Sequence, residues 1–198
     1  LALAGLLVLT GWVSLPSSGP VTRGIEGAPE PEAISLVADD PQPGDSPEQI
    51  VRGFLFGAAA GTTDDFTVAR QYLTEGTAEV WSPSAQVTVY SGGNPQIEEI
   101  SERRVEVTVD VSGTVDATGV YTAAPVDADT TLEFGLVQDQ RDQWRIDELA
   151  DGVLVSEVIF GSQYRQVPLY FLTPDATMLV PATRWYQQRN APTAAMRG

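Results

Sequence analysis

The chain has 198 residues, of which 42% are apolar and 19% are charged, and 27 acidic residues against 11 basic ones give a formal net charge of −16. It contains neither cysteine nor histidine, which excludes disulfides, thiol nucleophiles, iron–sulfur clusters, the usual zinc sites and Ser–His–acid catalysis. The acidic balance argues against a nucleic-acid partner, because phosphate neutralisation drives such binding. The acids show no EF-hand spacing. We predict no catalytic residue, no cofactor and no metal site. The length suits one domain with appendages, or at most two small domains.

The N-terminal segment is apolar. Residues 1–13 carry no charge, and their length fits the hydrophobic region of a secretory signal but falls short of the roughly 20 residues that span a membrane. A buried core helix is the alternative. Leu9-Thr10-Gly11 resembles a bacterial lipobox, but Trp12 stands where the lipidated cysteine is required. We predict export or tethering without lipidation at Trp12, in a chain truncated at its front.

Residues 14–45 hold six prolines and four glycines, a composition that predicts an extended linker. Within it, Ile34–Val37 is the one piece expected to dock as an edge strand. A disordered leader is the alternative interpretation.

Two helices are predicted after the linker. Ser46-Pro47-Glu48-Gln49 is a capping box with proline at the first helical position, and apolar residues at helical spacing follow, so we predict a helix over Pro47–Ala60. A second helix is predicted from Asp64 or Asp65 to about Thr74, with one more turn through Val80–Trp81.

The hydrophobic period then changes to two, which predicts strands. Helices followed by antiparallel strands predict an α+β domain over residues 46–150, with two or three helices on one side of a curved antiparallel sheet. The predicted strands are Gln86–Tyr90, Val105–Val111, Val115–Tyr121, Thr130–Val137 and Trp144–Leu149.

Residues 151–198 are predicted to form an extension that leads to a next domain absent from this chain. It comprises a short helix over Ser156–Gln163 and a hairpin of Val167–Leu172 with Met178–Pro181, joined by a turn. The end, Trp185–Gly198, is expected to be helical at best.

Charge is distributed unevenly along the chain. Residues 1–158 hold 26 acids and 7 arginines, a net −19, whereas residues 159–198 hold four arginines and one acid, a net +3. A basic segment beside an acidic body predicts an interaction rim of Arg165, Arg184 and Arg189. A solvated surface with no partner is the alternative.

Several motifs occur together in this chain: the lipobox-like tetrad, Ser14–Val21, Ile50–Leu55, Ala69–Thr74, Trp144–Ile146 and Leu169–Leu172 with Leu179–Pro181. Together they resemble the N-terminal region of the actinobacterial LpqB lipoproteins, and the resemblance covers nearly the whole chain. It implies a nuclear-transport-factor-2-like cone fold, with GerMN-type and propeller-like domains following in the family and absent here.

The resemblance also implies a function. It predicts a non-catalytic interaction module on the extracytoplasmic face of the membrane, associated with the membrane through its N-terminus. The implied partner is the extracellular domain of the sensor histidine kinase MtrB, in a two-component system of envelope homeostasis and division. The one residue of the family with known chemistry is the lipidated cysteine, and because Trp12 stands at its position the lipid anchor does not carry over to this chain.

Two other classes of function remain open at this stage. One is a small-molecule or lipid-binding cone. The other is an acid–base enzyme using Asp147 with Tyr72, Tyr90 or Tyr121, as cone folds can, although a surface ion pair between Asp147 and Arg145 is the plainer role. A filled interior favours the interaction module, and an open polar pocket favours the ligand or enzyme hypotheses.

Overall fold

The computed structural model describes residues 38–61 and 64–188. The predicted signal segment with Trp12, residues 14–37 of the linker with its edge strand, and Arg189 with the end of the chain lie outside the described residues. Among the described helices, none has the length and apolarity to cross a membrane.

The described chain is an α+β fold of four helices and eight strands. In chain order they are α1 Pro47–Ala60, α2 Thr67–Gln71, α3 Glu75–Val80, β1 Gln86–Ser101, β2 Arg104–Asp116, β3 Tyr121–Ala123, β4 Asp129–Gln138, β5 Trp144–Glu148, β6 Val153–Ser156, α4 Glu157–Gln163, β7 Tyr164–Leu172 and β8 Leu179–Gln187.

The main sheet is mixed, whereas a purely antiparallel sheet was predicted. Its strand order is β5-β4-β2-β1-β6, with β3 paired to β2. All neighbours are antiparallel except β6, which pairs in parallel with β1 from Val87↔Val153 to Tyr90↔Ser156. The prediction failed here because the alternation of apolar residues fixes which face a strand buries but not which strand lies beside it.

The sheet is curled, as the short connection between β5 and β6 requires. These strands lie at opposite ends of the strand order, about 19 Å apart in a flat sheet at about 4.8 Å per strand. The connection from Glu148 to Val153 reaches at most roughly 18 Å when fully extended, and Asp151–Gly152 within it is bent. The two edges must therefore approach each other.

Helix α1 has the predicted bounds. The Ser46 hydroxyl accepts a hydrogen bond from the Gln49 amide, and the Gln49 side chain accepts one from the Ser46 amide at 2.8 Å, so the capping box is formed. The apolar stripe of α1, with Ile50, Val51 and Phe54, is buried against the sheet.

The predicted second helix is two helices. Between α2 and α3 the backbone is extended, because the Thr74 amide donates to the Ile146 carbonyl and the Ile146 amide donates to the Tyr72 carbonyl, both at 2.9 Å. Leu73 and Ile146 thus form a parallel bridge to β5. The predicted second helix has helical periodicity, but it is interrupted here because its backbone bonds to Ile146, which lies more than 70 residues further along the chain.

The predicted third strand, Val115–Tyr121, is not a single strand: its first two residues end β2, and Tyr121 begins β3. Asp116 accepts hydrogen bonds from the Thr118 and Val120 amides at 2.8 and 3.0 Å, an Asx-type turn that ends β2. The chain then reverses into β3, which pairs with β2.

Residues 151–163, predicted as part of the extension, pack into the main domain. Val153, Leu154 and Val155 of β6 and Phe160 of α4 belong to the same buried cluster as α1. The predicted hairpin is present as β7 and β8, a separate two-stranded sheet. Contrary to the expectation for the end of the chain, residues 185–187 are β-strand, because they pair with Tyr164–Gln166.

Candidate functional site

The carboxylate proposed for acid–base chemistry is exposed. Asp147 accepts a hydrogen bond from the Thr74 hydroxyl at 2.9 Å, and its carbonyl accepts one from the Thr77 hydroxyl at 2.6 Å. The expected ion pair with Arg145 is not the one formed, since the Arg145 guanidinium lies 3.9 Å from Asp139 instead. Asp147 holds α3 to β5 and is not enclosed as a catalytic acid would be.

The three candidate tyrosines lie in different places. The Tyr72 hydroxyl donates to the Asp39 carbonyl at 2.9 Å, and burial, followed by the charge of Asp45, raises the Tyr72 pKa. The Tyr121 hydroxyl donates to the Ser112 carbonyl at 3.1 Å. Tyr90 lines a cleft beside α1, and burial raises its pKa. These contacts do not assemble a tyrosine with Asp147.

The interior between α1 and the sheet is filled. Ile50 and Val51 of α1 and Val105 and Val107 of β2 are essentially inaccessible. Aromatic rings pack in the centre of this space: Phe54 packs edge-to-face on Trp81 at 5.2 Å and on Phe134 at 6.0 Å. The apolar faces of α1 and β2 therefore close over each other.

Surface clefts flank this core. One, of about 220 Å³, lies between α1, β1, β6 and α4. Its charged group, Arg52, is paired with Glu48 at 2.6 Å. A second, of about 300 Å³, lies at the base of the hairpin beside Arg70 and Asp116. A third, of about 90 Å³, opens where Phe54 and Phe134 meet the connection from β5 to β6. The first cleft is lined by Arg52, Leu55, Phe56, Ala59, Tyr90, Asn94, Pro95, Ile97, Leu154 and Ile159.

The base of the β7–β8 hairpin is fixed to the domain by four aromatic rings. Phe160 of α4 stacks on Tyr164 at 4.8 Å and contacts Trp185 at 4.8 Å, and Tyr121 of β3 contacts Trp185 at 6.1 Å. The Trp185 amide also donates to the Gly119 carbonyl at 2.8 Å. The base of the hairpin is thus continuous with the core.

The distal half of the hairpin is different. Tyr170, Leu172 and Leu179 are 62, 63 and 62% exposed. Period two puts Tyr170 and Leu172 on one face, and Leu179 lies directly opposite Leu172. On the other face Phe171 and Val180 are exposed as well. The sequence predicted the hairpin but not this exposed surface. The signal for the surface was a run of apolar residues without the alternating polar positions that would form a solvated face.

The described residues of the predicted rim make local contacts. The Arg165 guanidinium donates to the Gly161 and Tyr164 carbonyls at 3.0 Å, so it completes the end of α4. Arg184 lies over the Phe171 ring at 5.8 Å, and Arg189 is outside the described residues. The rim stays a prediction. Among the described residues, no group of three or more acidic side chains converges as a metal site requires.

Comparison with known proteins identifies the family. The family model for the N-terminal domain of lipoprotein LpqB matches residues 40–161, which is more than half of the chain. The chain belongs to the LpqB lipoprotein family. This agrees with the resemblance in α1, α2 and β5.

Curated LpqB lipoproteins match along most of this chain. It is 37% identical to the protein of Cutibacterium acnes over 90% of its length, 33% identical to that of Bifidobacterium longum over 92%, and 34% identical to that of Streptomyces avermitilis over 84%. The chain spans only about a third of their length, 30, 34 and 28% respectively. No solved structure matches it significantly.

Proposed function

We propose that this LpqB domain is a non-catalytic interaction module at the extracytoplasmic face of the cell membrane, and that it contacts the extracellular domain of an MtrB-type sensor kinase. The observation that carries the proposal is the filled interior between α1 and β2. A cone-fold enzyme or carrier places its substrate in that space, and here Phe54, Trp81 and Phe134 occupy it.

The fold and the family support the same proposal. We propose that the domain has a nuclear-transport-factor-2-like cone fold, because its helices lie on one side of a curled sheet. The relatives are named lipoproteins, and this name supports the proposed export and attachment to the membrane. The exposed Asp147, bonded to Thr74, offers no enclosed acid–base pair.

The predicted rim provides a test of the kinase contact. We expect the purified chain to bind the kinase extracellular domain, and Arg184→Glu to slow association by about tenfold, because a rim charge acts mainly on the on-rate and its salt dependence. Surface plasmon resonance at two ionic strengths measures this. The described contacts of Arg184 are the Phe171 ring, the adjacent Thr183 carbonyl and, through its charge, Asp116.

Arg141→Glu is the matched control, since Arg141 is exposed in the turn before β5 and carries the same charge. It should change the on-rate by less than about twofold. Absence of binding by the unaltered chain, or equal effects of the two reversals, would contradict a contact at this rim.

A second candidate function is favoured by the cleft of about 220 Å³ beside α1. Its wall is apolar apart from Arg52, Tyr90 and Asn94, which suits a short acyl chain with a polar head.

Decanoate at ten times its dissociation constant should raise Tm by roughly 3–6 °C. Ile159→Trp, which fills the cleft, should remove the shift, while the exposed neighbour Val158→Trp on α4 should retain it. An unchanged Tm with decanoate would exclude acyl binding here.

A further inference from the structure

We propose that the distal half of the β7–β8 hairpin is the docking element for the part of the LpqB polypeptide that follows this domain. The face that docks is formed by Tyr170, Leu172 and Leu179, and its occupant is an apolar surface on that following region. This inference is independent of the kinase contact, which was assigned to the charged rim.

The first argument is the exposure of the ribbon. A two-stranded hairpin alone is marginally stable in water, and exposed contiguous apolar surface marks an interaction site. Only the base of this hairpin is packed, through Tyr164 and Trp185. Beyond Leu169 the strands carry apolar side chains on both faces, so folding of the described domain leaves them uncovered.

The second argument is the position of the hairpin in the family. The match to the N-terminal domain ends at residue 161, and the hairpin begins at Tyr164. The relatives are about three times as long as the region that this chain matches. The hairpin is therefore the element between the N-terminal domain and the rest of those polypeptides, where contacts between domains of one chain form.

The third argument excludes a membrane as the occupant. The turn at the tip carries Asp175, which accepts hydrogen bonds from the Thr173 hydroxyl and, at 2.8 Å, from the Thr177 hydroxyl. These bonds lower the pKa of Asp175, so the tip keeps a negative charge that would have to enter the lipid first. The apolar residues flank this turn and suit a protein surface alongside the ribbon.

The half-buried Arg184 on the other face directs docking to the face of Tyr170, Leu172 and Leu179. Arg184 covers part of Phe171, and Phe171 and Val180 are 41 and 48% exposed, less than the opposite face. Tyr170, Leu172 and Leu179 have no such cover among the described residues and form the larger apolar surface.

Hydrogen exchange tests the contact directly. Exchange in peptides covering residues 168–182 is compared between this 198-residue chain and the full-length LpqB polypeptide that carries the domain. Docking predicts at least about tenfold slower exchange in the full-length protein. Equal exchange in the two would overturn the proposal.

A pair of double variants tests which face docks. In the full-length protein, Leu172→Ser with Leu179→Ser should raise the rate of limited proteolysis after the hairpin by about tenfold. The matched control is Val80→Ser with Val126→Ser, two valines that are exposed elsewhere on the domain, and it should leave the rate unchanged. Equal rates in the two double variants would contradict docking at this face.

Alternative occupants give distinct results. Protection that appears in the 198-residue chain and rises with its concentration would assign the face to a second copy, and protection that requires phosphatidylglycerol vesicles would assign it to a membrane. Either result would overturn the proposal. Kinase binding is measured with the 198-residue chain and Arg184→Glu, so failure of the kinase contact is distinguishable from failure of the docking.

Discussion

Replacing Trp81 by alanine is expected to lower the free energy of unfolding by about 3–5 kcal/mol, the usual loss for a large buried aromatic ring. Trp81 is 3% exposed and is the ring on which the core converges. Phe54 lies 5.2 Å from it, Phe66 lies 5.8 Å from it, and the Arg70 guanidinium lies 5.3 Å from its centre. Urea unfolding followed by circular dichroism measures the loss.

Two further variants separate the contributions. Trp81→Phe keeps an aromatic ring and removes the indole N–H, which has no hydrogen-bond partner among the described residues, so it should cost only about 1–2 kcal/mol. Val80→Ala changes an exposed neighbour and should stay within about 0.5 kcal/mol. A cost for Trp81→Ala as small as that for Val80→Ala would show that these rings do not hold the domain together.

Replacing Gly152 by alanine is expected to lower the free energy of unfolding by about 3–4 kcal/mol, from a strained backbone and a steric clash together. Gly152 has a φ of +101°, and a Cβ there would lie 2.4 Å from the Gln86 carbonyl oxygen. Its amide donates to the Ser82 carbonyl at 2.9 Å, so the turn cannot move away without losing that bond. Urea unfolding again provides the measurement.

Gly44→Ala is the matched control for the backbone contribution. Gly44 has a φ of +89°, but a Cβ there would meet nothing within 4 Å, so this variant should cost only about 1–2 kcal/mol. Equal costs at the two positions would mean that β6 is not held against the start of β1 as closely as described.

Local signals in the sequence predicted the elements that depend on neighbouring residues. The capping box of Ser46 and Gln49 sets the start of α1, and the alternation around Val105 and Val107 sets the buried face of β2. Both patterns lie within a few residues of the structure they specify, because caps and strand faces are determined by local geometry.

The rest depended on distant partners. The break after α2 exists because Tyr72 and Thr74 bond to Ile146, and the parallel pairing of β6 depends on Val87 and Val89 of β1. No pattern within either segment encodes those partners. The mixed sheet and the divided second helix therefore required the structure.

The surroundings of the candidate site depend on distant partners for the same reason. Charge along the chain indicated Arg165 and Arg184, but whether a guanidinium is available depends on the carbonyls and rings near it, as Arg165 at the end of α4 shows. The hairpin was predicted from its turn and apolar strands. The exposure of this surface depends on the whole domain, because it follows from where every other element packs. Its residues are Tyr170, Leu172 and Leu179.

The parallel pairing of β6 also has a consequence for the order in which the domain is completed. A polypeptide is synthesised from its N-terminus, and domains fold as their parts emerge. Strand β1 acquires β2 as a neighbour early, but its other edge is completed only when Val153–Val155 follows. Until then the edge of β1 is open to other chains. A polypeptide that stopped before residue 153 would keep this edge of β1 unpaired.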